Sequence, residues 1–83
     1  MAEMAIGHVS YYNGPHSVGV VDLVEPLKIG DVIHIKGIAE DFIQIIESLQ
    51  IDYTPIQQAK SGEAVGIKVA RPVRPNDRVF KLI

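Results

Sequence analysis

The sequence contains no cysteine and no tryptophan, and only two phenylalanines and three tyrosines. Without thiols the chain can build neither a disulfide framework nor a thiolate metal site, so a secreted disulfide scaffold is excluded and packing alone must stabilise it. Gly, Asp, Lys or His interrupts every apolar run, so no stretch approaches the roughly 20 residues a membrane helix needs. The opening Met1-Ala2-Glu3-Met4 carries an acid and lacks the basic-then-apolar order of a signal peptide, so a cytoplasmic location is expected. Also missing is a G-x-x-x-x-G-K-[ST] loop, which excludes a phosphate cradle and with it nucleotide chemistry.

Catalytic signatures are absent too. His8, His16 and His34 show no local metal-ligand spacing, and half-buried or surface imidazoles are the expected state. Ser10, Ser17, Ser48 and Ser61 lack a nucleophile context such as G-x-S-x-G, and Glu40 and Asp41 flank a turn, where acids serve solvation and backbone capping. No catalytic, cofactor or metal residue is assigned, and the chain is expected not to be an enzyme.

What is present is a chain of 83 residues, 47% hydrophobic and 22% charged, rich in Ile and Val. That length and composition suit one globular domain over residues 1–83. Its net charge of −2 conceals a polarity. Up to Ala59 the chain holds Lys28 and Lys36 against eight acids; from Lys60 onward it holds six cations against Glu63 and Asp77. Lys68, Arg71, Arg74, Arg78 and Lys81 form the one constellation with a functional expectation, phosphate contacts to a nucleic acid. The competing reading of such a run is a solvated face. Tyr11, Tyr12 and Phe80 could offer stacking planes, but aromatics in a small barrel are expected to fill its core.

The hydropathy pattern is that of strands. Ala5–Tyr12 is rich in β-branched and aromatic residues and runs into Asn13-Gly14-Pro15, which predicts a hairpin with His16–Leu23 as its return. Val32–Lys36 alternates with Ile33 and Ile35 on one face. Asp41–Gln50 is ambiguous. Phe42, Ile45, Ile46 and Leu49 fall at helical spacing behind an Asp41 cap, whereas Ile43, Ile45, Leu49, Ile51 and Tyr53 share an alternating phase broken at Glu47. Thr54-Pro55 ends that element, 56–59 reads as a connection, and Ala64–Ala70 and Arg78–Leu82 as two more strands. Pro72 and Pro75 confine 71–77 to a loop. Six strands result, with no linker or internal repeat, and many short strands punctuated by Gly and Pro argue for closure into a barrel.

Two segments carry a family resemblance. Leu27-Lys28-Ile29-Gly30-Asp31-Val32-Ile33-His34-Ile35-Lys36-Gly37 resembles the L-K-x-G-D-x-[IV]-x-[IV]-x-G stretch in the second domain of elongation factor Tu and related translational GTPases. Ile56 to Ile67, containing Ala59-Lys60-Ser61-Gly62-Glu63-Ala64-Val65-Gly66, is similar to that family's A-x-x-G-[DE]-x-[VA]-G-[IVL] segment. With Ser17-Val18-Gly19-Val20-Val21 the likeness spans nearly the whole chain; the chain most resembles small stand-alone proteins described as translation elongation factor-like, and a similar module ends some collagenase-like peptidases.

The resemblance implies strand rather than helix over 41–50, and an all-β fold, a small closed six-stranded antiparallel, Greek-key-like barrel. It also implies a non-catalytic module of the translation apparatus, with RNA or a ribosome-associated complex as partner and no cofactor. The alternative is a protein-interaction barrel that binds no nucleic acid. Gly30, Gly62 and Gly66 are expected to be structural, at turns or close barrel packing.

Overall fold

Ten β-strands organise the computed structural model, which describes residues 2–83. In chain order they are β1 (Glu3–Asn13), β2 (Val18–Leu23), β3 (Leu27–Lys28), β4 (Val32–Lys36), β5 (Asp41–Ile45), β6 (Leu49–Ile51), β7 (Thr54–Ile56), β8 (Gln58–Ala59), β9 (Ala64–Lys68) and β10 (Arg78–Leu82). Eight of them form one sheet in the order β5-β4-β10-β1-β2-β9-β6-β7, and β3 pairs with β8 apart from it. All the pairings are antiparallel. The all-β class is therefore as expected, while the count of six strands is corrected to ten. Segment 54–59, read from its Pro as a boundary and connection, forms β7 and β8; Pro55 is tolerated because β7 is the last strand of the sheet, where a missing N–H leaves no ladder bond unmade. No pairing joins β5 to β7 among the described residues.

One face of this sheet is dry. Ile6, Val9, Val21, Ile33, Ile35, Val65, Ile67 and Val79 are fully excluded from solvent, one or two from each central strand. Each such side chain contributes about 1.5–3 kcal/mol of transfer free energy, and the chain, lacking cysteine, has no disulfide to add to it.

The 41–50 stretch is extended, as expected, but its phase is not the alternating one read from the sequence. Phe42, Ile46 and Leu49 are buried, whereas Ile43 and Ile45 are 56% and 50% exposed. The helical spacing arises because the chain leaves β5 after Ile45 and re-enters a strand at Leu49. Between them the Ile46 N–H donates to the Asp31 carbonyl at 2.8 Å, and the Ile46 carbonyl accepts from Gly30 N–H at 2.9 Å. Ile46 thus turns inward outside any strand, and the interruption mimics a 3.6-residue period.

β1 carries two irregularities. Its register slips against β10 between Ala5 and Gly7, and against β2 between Val9 and Tyr11. A bulge sets two residues of one strand against one of its partner and so shifts the inward-outward alternation. Val9 faces the core; by strict alternation Tyr11 would follow it inward. The slip places Tyr11 opposite Val20 instead, on the outer face, and turns Tyr12 toward the core. The expectation that both tyrosines fill the interior holds for Tyr12 and fails for Tyr11, which is 59% exposed. At the first slip a Cβ on Gly7 would lie 2.2 Å from the Asp22 carbonyl oxygen, so only glycine fits there.

Three turns share one design. In Lys28–Asp31, Lys60–Glu63 and Arg74–Asp77 the N–H of the fourth residue donates to the carbonyl of the first at 3.1, 3.2 and 3.1 Å. The third residue, Gly30, Gly62 or Asn76, has φ of 97°, 93° or 76°, the left-handed conformation that this kind of turn reserves for Gly and Asn. The carboxylate of the fourth residue then accepts the N–H of the first, at 3.0, 2.6 and 3.0 Å. The turns lead into β4, β9 and β10 respectively. A four-residue pattern, [KR]-x-[GN]-[DE], thus recurs where the sequence reading found no repeat.

Asp77 is the one buried charged residue of the three. Replacing it by alanine is expected to cost about 2 kcal/mol, since the part-buried Arg74 amide loses a charged acceptor; Glu63→Ala should cost less, its turn being wet. Urea midpoints with unchanged slopes check this ordering.

Candidate functional site

The outer face of the central strands is where the sheet departs from a plain polar surface. Register aligns Tyr11 on β1, Val20 on β2, Gly66 on β9, Gln50 on β6 and Pro55 on β7 in a single row. Beside it runs a second row, Asn13, Val18 and Lys68. Gly66 has no side chain to raise the middle of the first row, so the surface dips there. A Cβ at Gly66 would stand 3.0 Å from Gln50 Cγ and 3.2 Å from a Val18 methyl.

The result is a groove of about 520 Å³, floored by Val18, Val20 and Gly66 and walled by Tyr11 at one side and Tyr53 at the other. Tyr53 is 83% exposed. It occupies the tight turn between β6 and β7 with Asp52, at φ of 65° and 50°. Paired left-handed residues match the twist of the two strands and hold the ring up at the groove's rim. Polar groups at hand are Asn13, Gln50, Ser48, His16, Asp52 and Lys68. Aromatic walls, an apolar floor and scattered polar groups thus meet in one trough on the outer face of the sheet.

The basic residues singled out in the sequence do not converge. Lys68 ends β9 at the groove, while Arg78 and Lys81 lie on β10, two strands away across β1 and β2. Arg71 pairs with Glu40 at 3.5 Å and lies over the Phe42 ring; Arg78 lies over Phe80. Lys81 is spent inside the fold, donating to the Pro26 carbonyl at 3.2 Å and pairing with Asp31 at 3.7 Å. Arg74 is exposed beside its turn. The basic third of the chain is thus dispersed, with Arg71 and Lys81 paired to acids, and is not gathered into one phosphate-binding face.

A second cluster, unread from the sequence, lies on the outer face of β4. His34 Nδ1 sits 2.8 Å from Glu3 Oε2, and its Nε2 contacts Asp41 Oδ1. The bonds to Asp41 and then Glu3 hold the imidazole above its ordinary value of 6.5, against a smaller opposing effect of burial. The same bond to His34 lowers Asp41 below 3.8. With both nitrogens engaged, the ring ties β1, β4 and β5 together. Among the described residues no group of three His, Cys, Asp or Glu is placed to hold a metal ion.

The raised His34 value makes the charged ring's stabilisation complete below pH 6.5 and lost as pH rises through the folded-state value. The lowered Asp41 value makes its stabilisation complete above 3.8 and lost as pH falls through the folded-state value. Stability should therefore plateau between about pH 4 and 6.5 and decline above it. In His34→Gln the decline above pH 6.5 should vanish; thermal unfolding across that range checks it.

No family model matches the chain. An uncharacterized protease of Methanocaldococcus jannaschii is 37% identical over 81 residues, a stretch that takes in 96% of this chain and 20% of that protein. The chain thus spans about a fifth of the curated relative it matches. The crystal structure of the C-terminal domain of a Geobacillus thermoleovorans putative U32 peptidase superposes with a TM-score of 0.87 at 26% identity, covering 98% of this chain and 93% of that one. Its selenomethionine variant gives 0.85 over 90% and 95%. These findings overturn the translation-factor resemblance: the relatives are protease-like, and nothing in them points to a domain of elongation factor Tu. The residues that suggested it, 27–37 and 56–67, are two copies of the acid-capped turn with their flanking strands. They encode a local geometry that unrelated β-folds can share. No helix of the described residues is long and apolar enough to cross a membrane.

Proposed function

We propose that this chain is a non-catalytic, polypeptide-binding module of the kind that ends a U32-peptidase-like protein, with the Tyr11–Tyr53 groove as its contact surface. The observation that carries this reading is the groove itself, an apolar floor between two exposed aromatic walls on strands that are each already paired on both sides. Tyrosine walls bring contact area at low entropic cost. Because β1, β2, β9 and β6 offer no free edge, recognition there works through side chains rather than by strand addition. The likeness to a solved C-terminal domain supports the module's place beside a larger protein.

The non-catalytic part is supported by how the reactive side chains are used. His34 spends both nitrogens on carboxylates, and the Ser10 and Ser61 hydroxyls donate to the Val20 and Val24 carbonyls at 3.3 and 2.8 Å. These three side chains thus serve structural bonds, which favours a binding role over a catalytic one.

Barrel closure belongs to the same reading. The Gln44 side chain on the outermost strand β5 accepts the Ala70 N–H at 2.8 Å and donates to the Lys68 carbonyl at 2.9 Å. It ties β5 to the end of β9, two strands that no backbone pairing joins. Gln44→Ala should lower stability by about 1 kcal/mol, and amide exchange at Ala70 should quicken.

Selection from a displayed peptide library tests the function. Wild-type chain should enrich a peptide family whose affinity falls about tenfold or more, near 1.4 kcal/mol, in Gly66→Val and in Tyr11→Ala. Failure to enrich any peptide, or enrichment indifferent to both substitutions, would sink the reading.

A further inference from the structure

The groove is charged at its two ends, and the charges are of opposite sign. Register sets Lys68 of β9 level with Val18 and Asn13, Gly66 level with Val20 and Tyr11, and Ala64 level with Asp22 and His8. The trough therefore runs along the strands, from a Lys68 end past the dip at Gly66 to an Ala64 end. His16 follows Asn13 in the turn between β1 and β2, so it lies at the Lys68 end. β6 is antiparallel to β9, with Leu49 opposite Ile67 and Gln50 opposite Gly66. Asp52, two residues beyond Gln50, thus falls toward the Ala64 end. Lys68 and Asp52 are both exposed, and both line the trough.

The fold does not use these two charges. Among the described residues neither Lys68 nor Asp52 has an opposite charge within ion-pair distance, whereas Asp22 beside the trough is paired with His8 at 3.6 Å. The Lys68 and Ala64 levels are about 13 Å apart along the strand, more than the screening length of about 8 Å at physiological salt. The two charges therefore do not neutralise each other. Both are firmly rooted. The Lys68 carbonyl accepts the Gln44 side-chain amide at 2.9 Å, and the next N–H, that of Val69, donates to the Ser17 carbonyl at 2.9 Å. Asp52 is fixed in its tight turn at φ of 50°.

An extended polypeptide laid along the trough rises by the same distance per residue as β9 and turns every second side chain to the floor. Three alternate side chains then meet the Lys68 end, the dip at Gly66 and the Asp52 end. Val18, Val20 and the tyrosine rings match an apolar residue in the middle, and the two free charges match an acid and a base on either side of it. The acid is a side chain rather than a chain end. A terminal carboxylate is captured by clustered backbone N–H groups, and β1, β2, β9 and β6 are each paired on both sides. We infer that the groove selects an extended segment in which an Asp or Glu and a Lys or Arg stand two residues to either side of an apolar residue, the acid on Lys68 and the base on Asp52. This rests on the peptide-binding reading above and adds which peptides are chosen. Charges at a rim set partner choice and register more than affinity, so the sequence preference is what they govern.

Parallel selections from one library test it, the library displaying random heptapeptides between Gly-Ser flanks so that no free terminus is offered. The wild-type consensus should carry an acid and a base, each two positions from an apolar residue. Lys68→Glu should replace the acid by Lys or Arg and keep the apolar residue, Lys68→Gln should erase the acid preference alone, and Asp52→Asn, which suits the left-handed turn, should erase the base preference alone. A synthetic peptide of the wild-type consensus should bind Lys68→Glu about fivefold more weakly, and the difference should shrink at about 0.5 M salt. Unfolding midpoints matching the wild type's would show that the variants are folded. Peptides that depend on Gly66 and Tyr11 but carry no acid at that spacing, or an acid retained by Lys68→Glu, would overturn the inference while leaving the peptide-binding reading standing. No enrichment by the folded wild-type chain would overturn both.

Discussion

The slip in β1 between Val9 and Tyr11 is the constraint from which the outer surface follows. Before it, the strand's inward residues include Ile6 and Val9; after it, inward becomes Tyr12 and outward becomes Tyr11. β1 lies in the middle of the eight-stranded sheet, paired with β10 on one side and β2 on the other. A register change there resets which side chains share a row across its neighbours. One extra residue therefore supplies the groove's first wall, while the core keeps an unbroken aliphatic lining. The same device at Gly7 brings β1 so close to the Asp22 carbonyl that no side chain fits. Bulges also deepen local twist, which bends a long strand around a small core.

Turn chemistry does the rest of the positioning. Each acid-capped turn fixes the residue entering β4, β9 or β10 by two hydrogen bonds across four residues, so these strands begin in a set register. Through β9 that register puts Gly66 under the groove, and through β4 and β10 it sets His34 opposite Phe80. Short strands held by local bonds at their starts compensate for a core that must do without disulfides.

Much of the fold was legible in the residues. Alternation gave β4 its correct face, and Asn13-Gly14-Pro15 and the proline-bearing 71–77 segment stand where the chain leaves its strands. What misled was geometry that period alone does not encode. A bulge leaves no compositional mark, so Tyr11 and Tyr12 looked equivalent. The break at Ile46 to Ser48 made an interrupted strand pair look helical. The charge reversal in the last third was real in sequence, but folding sends Lys81 inward to Asp31 and Arg71 to Glu40. The translation-factor likeness failed for a related reason: its matching positions are turn and strand determinants, which report architecture and carry no partner. The groove draws on three separate stretches of chain, 11–20, 48–53 and 64–68; of its residues the sequence marks Tyr11 for stacking, Lys68 for its charge and Gly66 for packing, without joining them.

The register of β1 against β2 is therefore the quantity to measure. Cross-strand nuclear Overhauser contacts in the labelled chain should pair Val9 with Val21 and then Tyr11 with Val20. Pairing of Tyr11 with Gly19 would continue the strand without a bulge, turn that ring toward the core, and contradict the account of the groove.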